Sequence, residues 1–88
     1  MVNREKLHKI LTLVLEITER GQGENGYPYV STGIDNYSRA VYLCTMKNGL
    51  SKRGCYDISM MIDNDSKADL AIKELEELLR IAVDRIEE

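Results

Sequence analysis

The chain has 88 residues, 43% of them hydrophobic, and a formal net charge of −3. This length predicts one domain over residues 1–88, and the apolar fraction is enough for a single core, which argues against disorder. The negative charge argues against a general nucleic-acid coat protein, because that class is strongly basic. The start of the chain has no secretory pattern, and no apolar run approaches the roughly 20 residues that cross a bilayer. We therefore expect a cytoplasmic protein without a membrane partner.

Residues 4–20 are predicted to form the first helix. Asn3 stands directly before them and suits the N-cap position, because its short side chain can accept a backbone N–H. Gly21 follows directly, where a left-handed residue commonly ends a helix. Five apolar residues recur at helical spacing and mark the buried stripe: Leu7, Ile10, Leu11, Val14 and Ile17.

The next segment, residues 21–26, reads Gly-Gln-Gly-Glu-Asn-Gly and matches the pattern G-x-G-x-x-G. A phosphate-binding loop of this pattern follows a strand and opens a helix. Here a helix precedes the segment and strands follow it, so the order is reversed. The segment is therefore predicted to be a connecting loop, and no nucleotide cofactor is expected.

Three strands are predicted next, over residues 28–34, 39–47 and 55–62. Turn-forming residues separate them at 35–38 and 48–49. Because these connections are short, neighbouring strands are expected to be antiparallel.

Alternation along the strands predicts one apolar face and one face of small, polar and tyrosine side chains. The apolar face contains Val30, Thr32, Ile34, Val41, Leu43, Tyr56, Ile58, Met60 and Ile62. The other face contains Tyr29, Ser31, Gly33, Ala40, Tyr42, Cys44, Cys55, Asp57 and Ser59. In the register that keeps the apolar sets together, Val30 lies across from Leu43. Leu43 in turn lies across from Tyr56, and Cys44 lies across from Cys55.

The second helix is predicted to begin in the segment 63–66. Ser66 would be its N-cap, with Asp69 three residues later as a capping-box acid. The apolar face of this helix consists of Ala68, Ile72, Leu75, Leu79, Ala82 and Ile86, joined by Ala71, Leu78 and Val83. The predicted fold is therefore of the α+β class. It is a two-layer α-β-β-β-α arrangement in which a three-stranded antiparallel meander carries both helices on one face.

Further apolar residues lie beside the two helical stripes. They are Leu13, Leu15, Leu70 and Ile81. Apolar positions in excess of what the core needs favour self-association. They raise the hypothesis of a homo-oligomer, in its simplest form a homodimer.

The order α-β-β-β-α is similar to that of the double-stranded-RNA-binding domain. This resemblance implies that the first helix enters a minor groove and that lysines at the start of the last helix contact phosphates. In this sequence the last helix begins with Asp-Asn-Asp-Ser-Lys-Ala-Asp at 63–69. Acids at that position repel phosphates, so the resemblance extends to the order of elements and not to RNA binding.

The residue types that carry catalysis or bind metals are sparse. His8 is the only histidine and falls on the polar side of the first helix. Cys44 and Cys55 are eleven residues apart, which fits no zinc-site spacing. Paired across the hairpin they could form a disulfide, but in the cytoplasm two reduced thiols are expected. No nucleophile with an adjacent base is apparent. We therefore expect no enzyme, no metal site and no cofactor.

The aromatic residues are five tyrosines, all in the middle third of the chain. Tyrosine combines a large apolar body with a polar tip and suits a surface that binds a partner. Tyr29 and Tyr42 fall on the sheet face predicted to lie away from the helices, with Ser31, Asp57 and Ser59 around them. These five residues form the predicted protein-binding site. The corresponding function is a small non-enzymatic protein–protein interaction module, acting as a regulator or inhibitor of its partner.

Nucleic-acid binding is the alternative hypothesis. Tyrosines on an open sheet can stack on bases, and the 47–53 loop offers Lys47, Lys52 and Arg53 for phosphates. A third hypothesis, a small-ligand pocket between sheet and helices, has no sequence pattern behind it. A half-solvated antiparallel sheet without any partner is also an ordinary arrangement.

Overall fold

A computed structural model of the protein describes residues 2–51 and 54–87, with side chains described up to residue 85. The elements are α1 (Arg4–Arg20), β1 (Tyr29–Asp35), β2 (Ala40–Met46), β3 (Ile58–Ile62) and α2 (Asp65–Glu87). The strands form one antiparallel sheet of order β1-β2-β3. The α+β class, the element order and the three-stranded meander are therefore confirmed.

The two helices begin at asparagine caps. Asn3 accepts a hydrogen bond from the Glu5 N–H at 2.8 Å, as predicted. The cap of α2 is Asn64, whose side chain accepts the Lys67 N–H at 2.9 Å, so the prediction of Ser66 as the cap was wrong. Gly21 has a φ of 177°, which is extended backbone, so the predicted left-handed end of α1 was also wrong.

The N-terminal ends of α1 and α2 lie side by side. The Asn3 N–H donates to the Asp65 carboxylate at 2.9 Å, and Lys6 forms an ion pair with Asp69 at 2.9 Å. The contacts proceed from Asn3 to Lys6 at the start of α1 and from Asp65 to Asp69 at the start of α2. The two helices therefore run parallel. Two positive helix ends are thereby brought together, and acids there offset the repulsion between them. The acidic start of α2 thus has a structural explanation.

The hydrophobic core contains Val2, Ile10, Leu13, Val14 and Ile17 from the N-terminal segment, Val41, Leu43 and Ile62 from the sheet, and Ala68, Ala71, Leu75, Leu78 and Ala82 from α2. Its sheet members all come from the face that alternation assigned as apolar. Its alanines are fully buried and let the helices approach closely. This shared core supports the placement of both helices on one face, which stays a prediction.

Both ladders differ in register from the prediction. Val30 pairs with Thr45 rather than Leu43, and Leu43 pairs with Met60 rather than Tyr56, shifts of two and four residues. An even shift leaves every strand residue on its predicted face, so the assignment of strand residues to the two faces stays correct.

The turns explain the shifted register. Asp35 pairs with Ala40, which leaves four residues in the first turn, where the Asp35 carboxylate accepts the Tyr37 N–H at 2.9 Å. Arg39 closes this turn in the left-handed region with a φ of 56°. The hydrogen bond from Tyr37 lowers the pKa of the Asp35 carboxyl below its usual value. The second connection is longer still, because β3 begins at Ile58 rather than at residue 55.

The predicted pairing of the two cysteines was wrong. Cys44 lies across from Ser59, while Cys55 lies in the exposed segment before β3. Both thiols are free. The later start of β3 is the cause, because it moves residue 55 out of the ladder.

The surplus apolar residues divide into two groups. Leu13 is only 8% exposed and belongs to the core, and Ile81 is half-buried. Leu15 and Leu70 are 57% and 52% exposed, so they are available for contacts outside the fold.

Candidate protein-binding face

The side of the sheet opposite the core carries partly exposed tyrosines. We call it the tyrosine face and define it as Tyr29, Ser31, Gly33, Tyr42, Cys44, Tyr56, Ser59 and Met61. Tyr42, Met61 and Tyr56 are 40%, 42% and 48% exposed. Because Val41, Leu43 and Ile62 point into the core, their neighbours along the strands necessarily point to this side.

The first row of the tyrosine face crosses all three strands. Gly33 pairs with Tyr42, and Tyr42 pairs with Met61. A Cβ atom on Gly33 would overlap the hydroxyl end of the Tyr42 ring, so the ring leans over β1 and covers the glycine. An aromatic ring over a cross-strand glycine is a recognised stabilising pair. Gly33 therefore leaves the space in which the ring of an exposed tyrosine lies, and Met61 extends the apolar surface beside it.

The second row consists of small polar side chains. Ser31 pairs with Cys44, and Cys44 pairs with Ser59. The Cys44 Sγ lies 3.8 Å from the Ser59 Oγ. Small side chains here form a low strip between two aromatic rows, with hydroxyl groups available for hydrogen bonds.

The third row is built on Tyr29. Its ring stacks on that of Tyr56, with centroids 6.3 Å apart and planes inclined by 18°. Met46, the partner of Tyr29 in the ladder, is 6% exposed although it is not part of the main core. A Cβ on Gly54 would lie 3.1 Å from the Met46 side chain. The segment before β3 therefore folds onto this side of the sheet and brings Tyr56 with it.

The placement of Tyr56 on the core face was wrong. Alternation predicts a face only within a strand, and Tyr56 precedes β3. Met61 was missed for a simpler reason, since extending the alternation two residues beyond Ser59 would have included it.

Asp57 has a structural role beside this face. Its carboxylate accepts the Lys47 N–H at 2.7 Å, and its own N–H donates to the Thr45 carbonyl at 2.8 Å. Asp57 therefore joins the end of β2 to the start of β3. Of the five predicted site residues, the structure brings Tyr29, Ser31, Tyr42 and Ser59 onto one surface and sets Asp57 at its border.

A cleft of about 380 Å³ adjoins the third row. It is lined by Gln22, Gly23, Glu24, Tyr29 and Leu50. The Leu50 N–H donates to the Gly23 carbonyl at 2.9 Å and joins two loops that are distant in sequence, while the Leu50 side chain is 55% exposed. Sequence reasoning missed this cleft, because no periodic pattern predicts contacts between two loops.

The remaining tyrosines lie away from this face. Tyr27 is half-buried, donates its hydroxyl proton to the Ile17 carbonyl, and has a raised pKa because of burial. Tyr37, in the turn between β1 and β2, is 96% exposed. It provides a fully accessible tyrosine away from the proposed site.

The electrostatics of the predicted basic loop differ from those of the tyrosine face. The hydrogen bond from Arg80 lowers the pKa of the Glu77 carboxyl, and the charge of Lys47 contributes in the same direction. Lys47 is therefore near the acidic surface of α2. Lys52 and Arg53 lie outside the described residues. The eight residues of the tyrosine face carry no acidic or basic side chain, so that surface is neutral.

Within residues 2–51 and 54–87, no three His, Cys, Asp or Glu side chains are grouped so that they could hold a metal ion. The lone histidine, His8, is exposed on α1. No helix in the described part of the chain is long and apolar enough to span a membrane. No protein-family model, no curated protein and no solved structure matches this chain.

Proposed function

We propose that this protein is a small non-enzymatic interaction module that binds another protein through the tyrosine face and regulates or inhibits it. The observation that carries the proposal is the row of Gly33, Tyr42 and Met61. The ring of Tyr42 lies over Gly33 while the residue stays 40% exposed, beside a methionine that is 42% exposed. A tyrosine that is already oriented binds at low conformational cost, because few of its torsions remain to be fixed.

The dimensions of the face set the kind of contact it makes. Three strands and three rows span roughly 10 by 13 Å between Cα atoms, from ordinary strand and residue spacings. This is smaller than the roughly 800 Å² per partner of a standard interface. We therefore expect the contact to continue over Tyr56 into the cleft beside Leu50. Such a surface fits a projecting helix or loop of the partner, with an apolar side chain in the cleft.

The charge pattern favours protein over nucleic acid as the partner. Binding of a single strand needs a positive groove that follows the phosphates, as well as rings for stacking. The tyrosine face supplies rings without charge, and Lys47 lies near Glu77. Nucleic-acid binding through Lys47, Lys52 and Arg53 therefore ranks second, and it becomes an outcome of the test.

The test compares three tagged baits in extracts of the source organism: wild type, Tyr42→Ala and Tyr37→Ala. We expect a protein that wild type and Tyr37→Ala both retain and that Tyr42→Ala loses. Loss of a central tyrosine typically costs about 2 kcal/mol or more, so the dissociation constant should rise roughly 30-fold. Isothermal calorimetry with the purified partner measures the change, and thermal unfolding checks that Tyr42→Ala stays folded.

Two results would contradict the proposal. One is equal retention of every specifically captured protein by all three baits. The other is retention that nuclease treatment abolishes, which would support the nucleic-acid alternative. Tyr37→Ala is a matched control, because it removes the same side chain from a site that is 96% exposed.

A further inference from the structure

The first strand is an edge strand that lacks most of the features that usually protect sheet edges, with Pro28 directly before it as the exception. β1 has seven residues, its ladder with β2 has no bulge, and no charge occurs before Asp35 at its end. Val30, Thr32 and Ile34 give it high strand propensity. Native edges are commonly protected by charge, proline, bulges or short length. The opposite edge, β3, has five residues and is flanked by Asp57 and Asp63.

The helical layer exposes apolar side chains on the same side of the molecule. Thr18 of α1 lines a cleft together with Val30 of β1. Leu11 and Leu15 lie seven and three residues before Thr18, so all three share one flank of α1. Leu15 is also nine residues after Lys6 in the same helix. This spacing places Leu15 on the side of α1 opposite the ion pair between Lys6 and Asp69 of α2. This flank therefore lies above the free edge of β1.

Each of these two layers has one strongly exposed apolar side chain. Ile34 is 62% exposed although it points to the core side of the sheet, as its ladder partner Val41 does. Leu15 is 57% exposed. An unpaired strand edge and an apolar helix flank on one side make a surface that a second sheet edge with its own helix would cover.

We propose that β1 pairs antiparallel with β1 of a second copy of this chain, about a two-fold axis at Thr32. Thr32 is the middle residue of Tyr29–Asp35, so this axis pairs the strand over its whole length. Val30 then lies across from Ile34 of the second copy on the core side, and Ser31 lies across from Gly33 of the second copy on the other side. Apolar residues therefore pair with apolar residues on the core side, and small residues pair with small residues on the other side. The result is a six-stranded sheet.

Charge complementarity identifies a second copy as the occupant. The same axis lays α1 antiparallel to α1 of the second copy. Arg4 at the beginning and Glu19 at the end of α1 lie on the flank of Leu11 and Leu15. Neither forms an ion pair within the described part of the chain, and both are exposed. In the antiparallel arrangement Arg4 of each copy approaches Glu19 of the other, and the helix dipoles oppose each other.

The dimer adds to the proposed function without depending on it. It pairs the backbone edge of β1, whereas the tyrosine face consists of side chains that stand on the sheet, although Tyr29, Ser31 and Gly33 belong to both. A six-stranded sheet would present two tyrosine faces on the same side. A partner with two matching sites would then be bound with increased avidity.

Sedimentation equilibrium of the full chain over a range of concentrations tests the proposal. We expect wild type to reach the mass of two chains. Ile34→Lys should weaken the dimer roughly tenfold or more, because it introduces charge into an apolar cross-strand pair. Leu70→Lys is the matched control, since Leu70 is 52% exposed on α2, and it should dimerise as wild type does.

Hydrogen exchange at low and high protein concentration locates the interface. We expect added protection in β1 at high concentration and none in β3. A wild type that stays monomeric throughout would overturn the proposal. So would a dimer that Ile34→Lys leaves unchanged, or one whose added protection lies outside β1.

Discussion

Leu75→Ala is expected to lower the free energy of unfolding by about 3 kcal/mol, within the range of 2–5 kcal/mol for truncation of buried leucines. Leu75 is fully buried on α2, in the core shared by both helices and the sheet. Its helical neighbours Ala71 and Leu78 are also buried, and the short side chain of Ala71 cannot move into the space. The cavity should therefore persist. Urea unfolding followed by circular dichroism measures the change.

Leu70→Ala is the control for this prediction. It makes the same substitution on the same helix at a side chain that is 52% exposed. We expect a change within about 0.5 kcal/mol, because surface substitutions in helices have small effects. Equal losses from Leu75→Ala and Leu70→Ala would mean that the described core is incorrect. For a domain with a total stability of about 5–15 kcal/mol, the expected difference is easily measured.

Gly49→Ala should have the second large effect, a loss of about 3 kcal/mol. Gly49 is buried and has a φ of 94°, a conformation that side chains rarely adopt. A Cβ there would lie 2.9 Å from the Glu24 Cα and 3.1 Å from the Tyr27 carbonyl oxygen. Both are backbone atoms, so the loops themselves would have to separate. The expected loss combines about 1–2 kcal/mol for the left-handed conformation with a similar cost for overpacking.

Gly26→Ala separates these two costs. Gly26 has nearly the same φ, 92°, but a Cβ there would meet nothing within 4 Å. We expect Gly26→Ala to lose only the conformational part, about 1–2 kcal/mol. Thermal and urea unfolding of both variants give the comparison. If Gly49→Ala were no less stable than Gly26→Ala, the close approach of the two loops would be contradicted.

The helices and the order of the strands were predictable from local patterns. The predicted range of α1 coincides with Arg4–Arg20, because Asn3 caps a clear apolar stripe. The short turn between β1 and β2 forced these two strands to be antiparallel. The cap of α2 was harder to predict, since Asn64 and Ser66 are both favourable cap residues and only the hydrogen bond to Lys67 distinguishes them.

The register was not predictable, because contacts between loops decide it. The segment between β2 and β3 is held by Asp57, which bonds the Lys47 N–H and the Thr45 carbonyl. It is held on its other side by the bond from Leu50 to Gly23. With these contacts the connection is longer than predicted, and β3 begins at Ile58 rather than at residue 55. The turn at Asp35 similarly needed four residues, because Arg39 adopts a left-handed conformation.

The candidate site was predictable where strand alternation applies. Tyr29 and Tyr42 lie on the predicted face, and the even register shift preserved it. Tyr56 reaches the same face through a stacking contact with Tyr29 that no strand pattern contains. Leu50 joins the site through the hydrogen bond between its N–H and the Gly23 carbonyl. The part of the site that lies outside the strand ladder therefore could not be predicted from the sequence.

The most direct test of the central claim is photo-crosslinking in the source organism, with benzoylphenylalanine in place of Tyr42 or, in a second strain, Tyr37. Both changes replace an exposed tyrosine with a similar ring, and only Tyr42 lies on the tyrosine face. We predict a specific protein adduct from position 42 and none from position 37. The same adducts from both positions, or an adduct to nucleic acid from position 42, would contradict binding of a protein partner through this face.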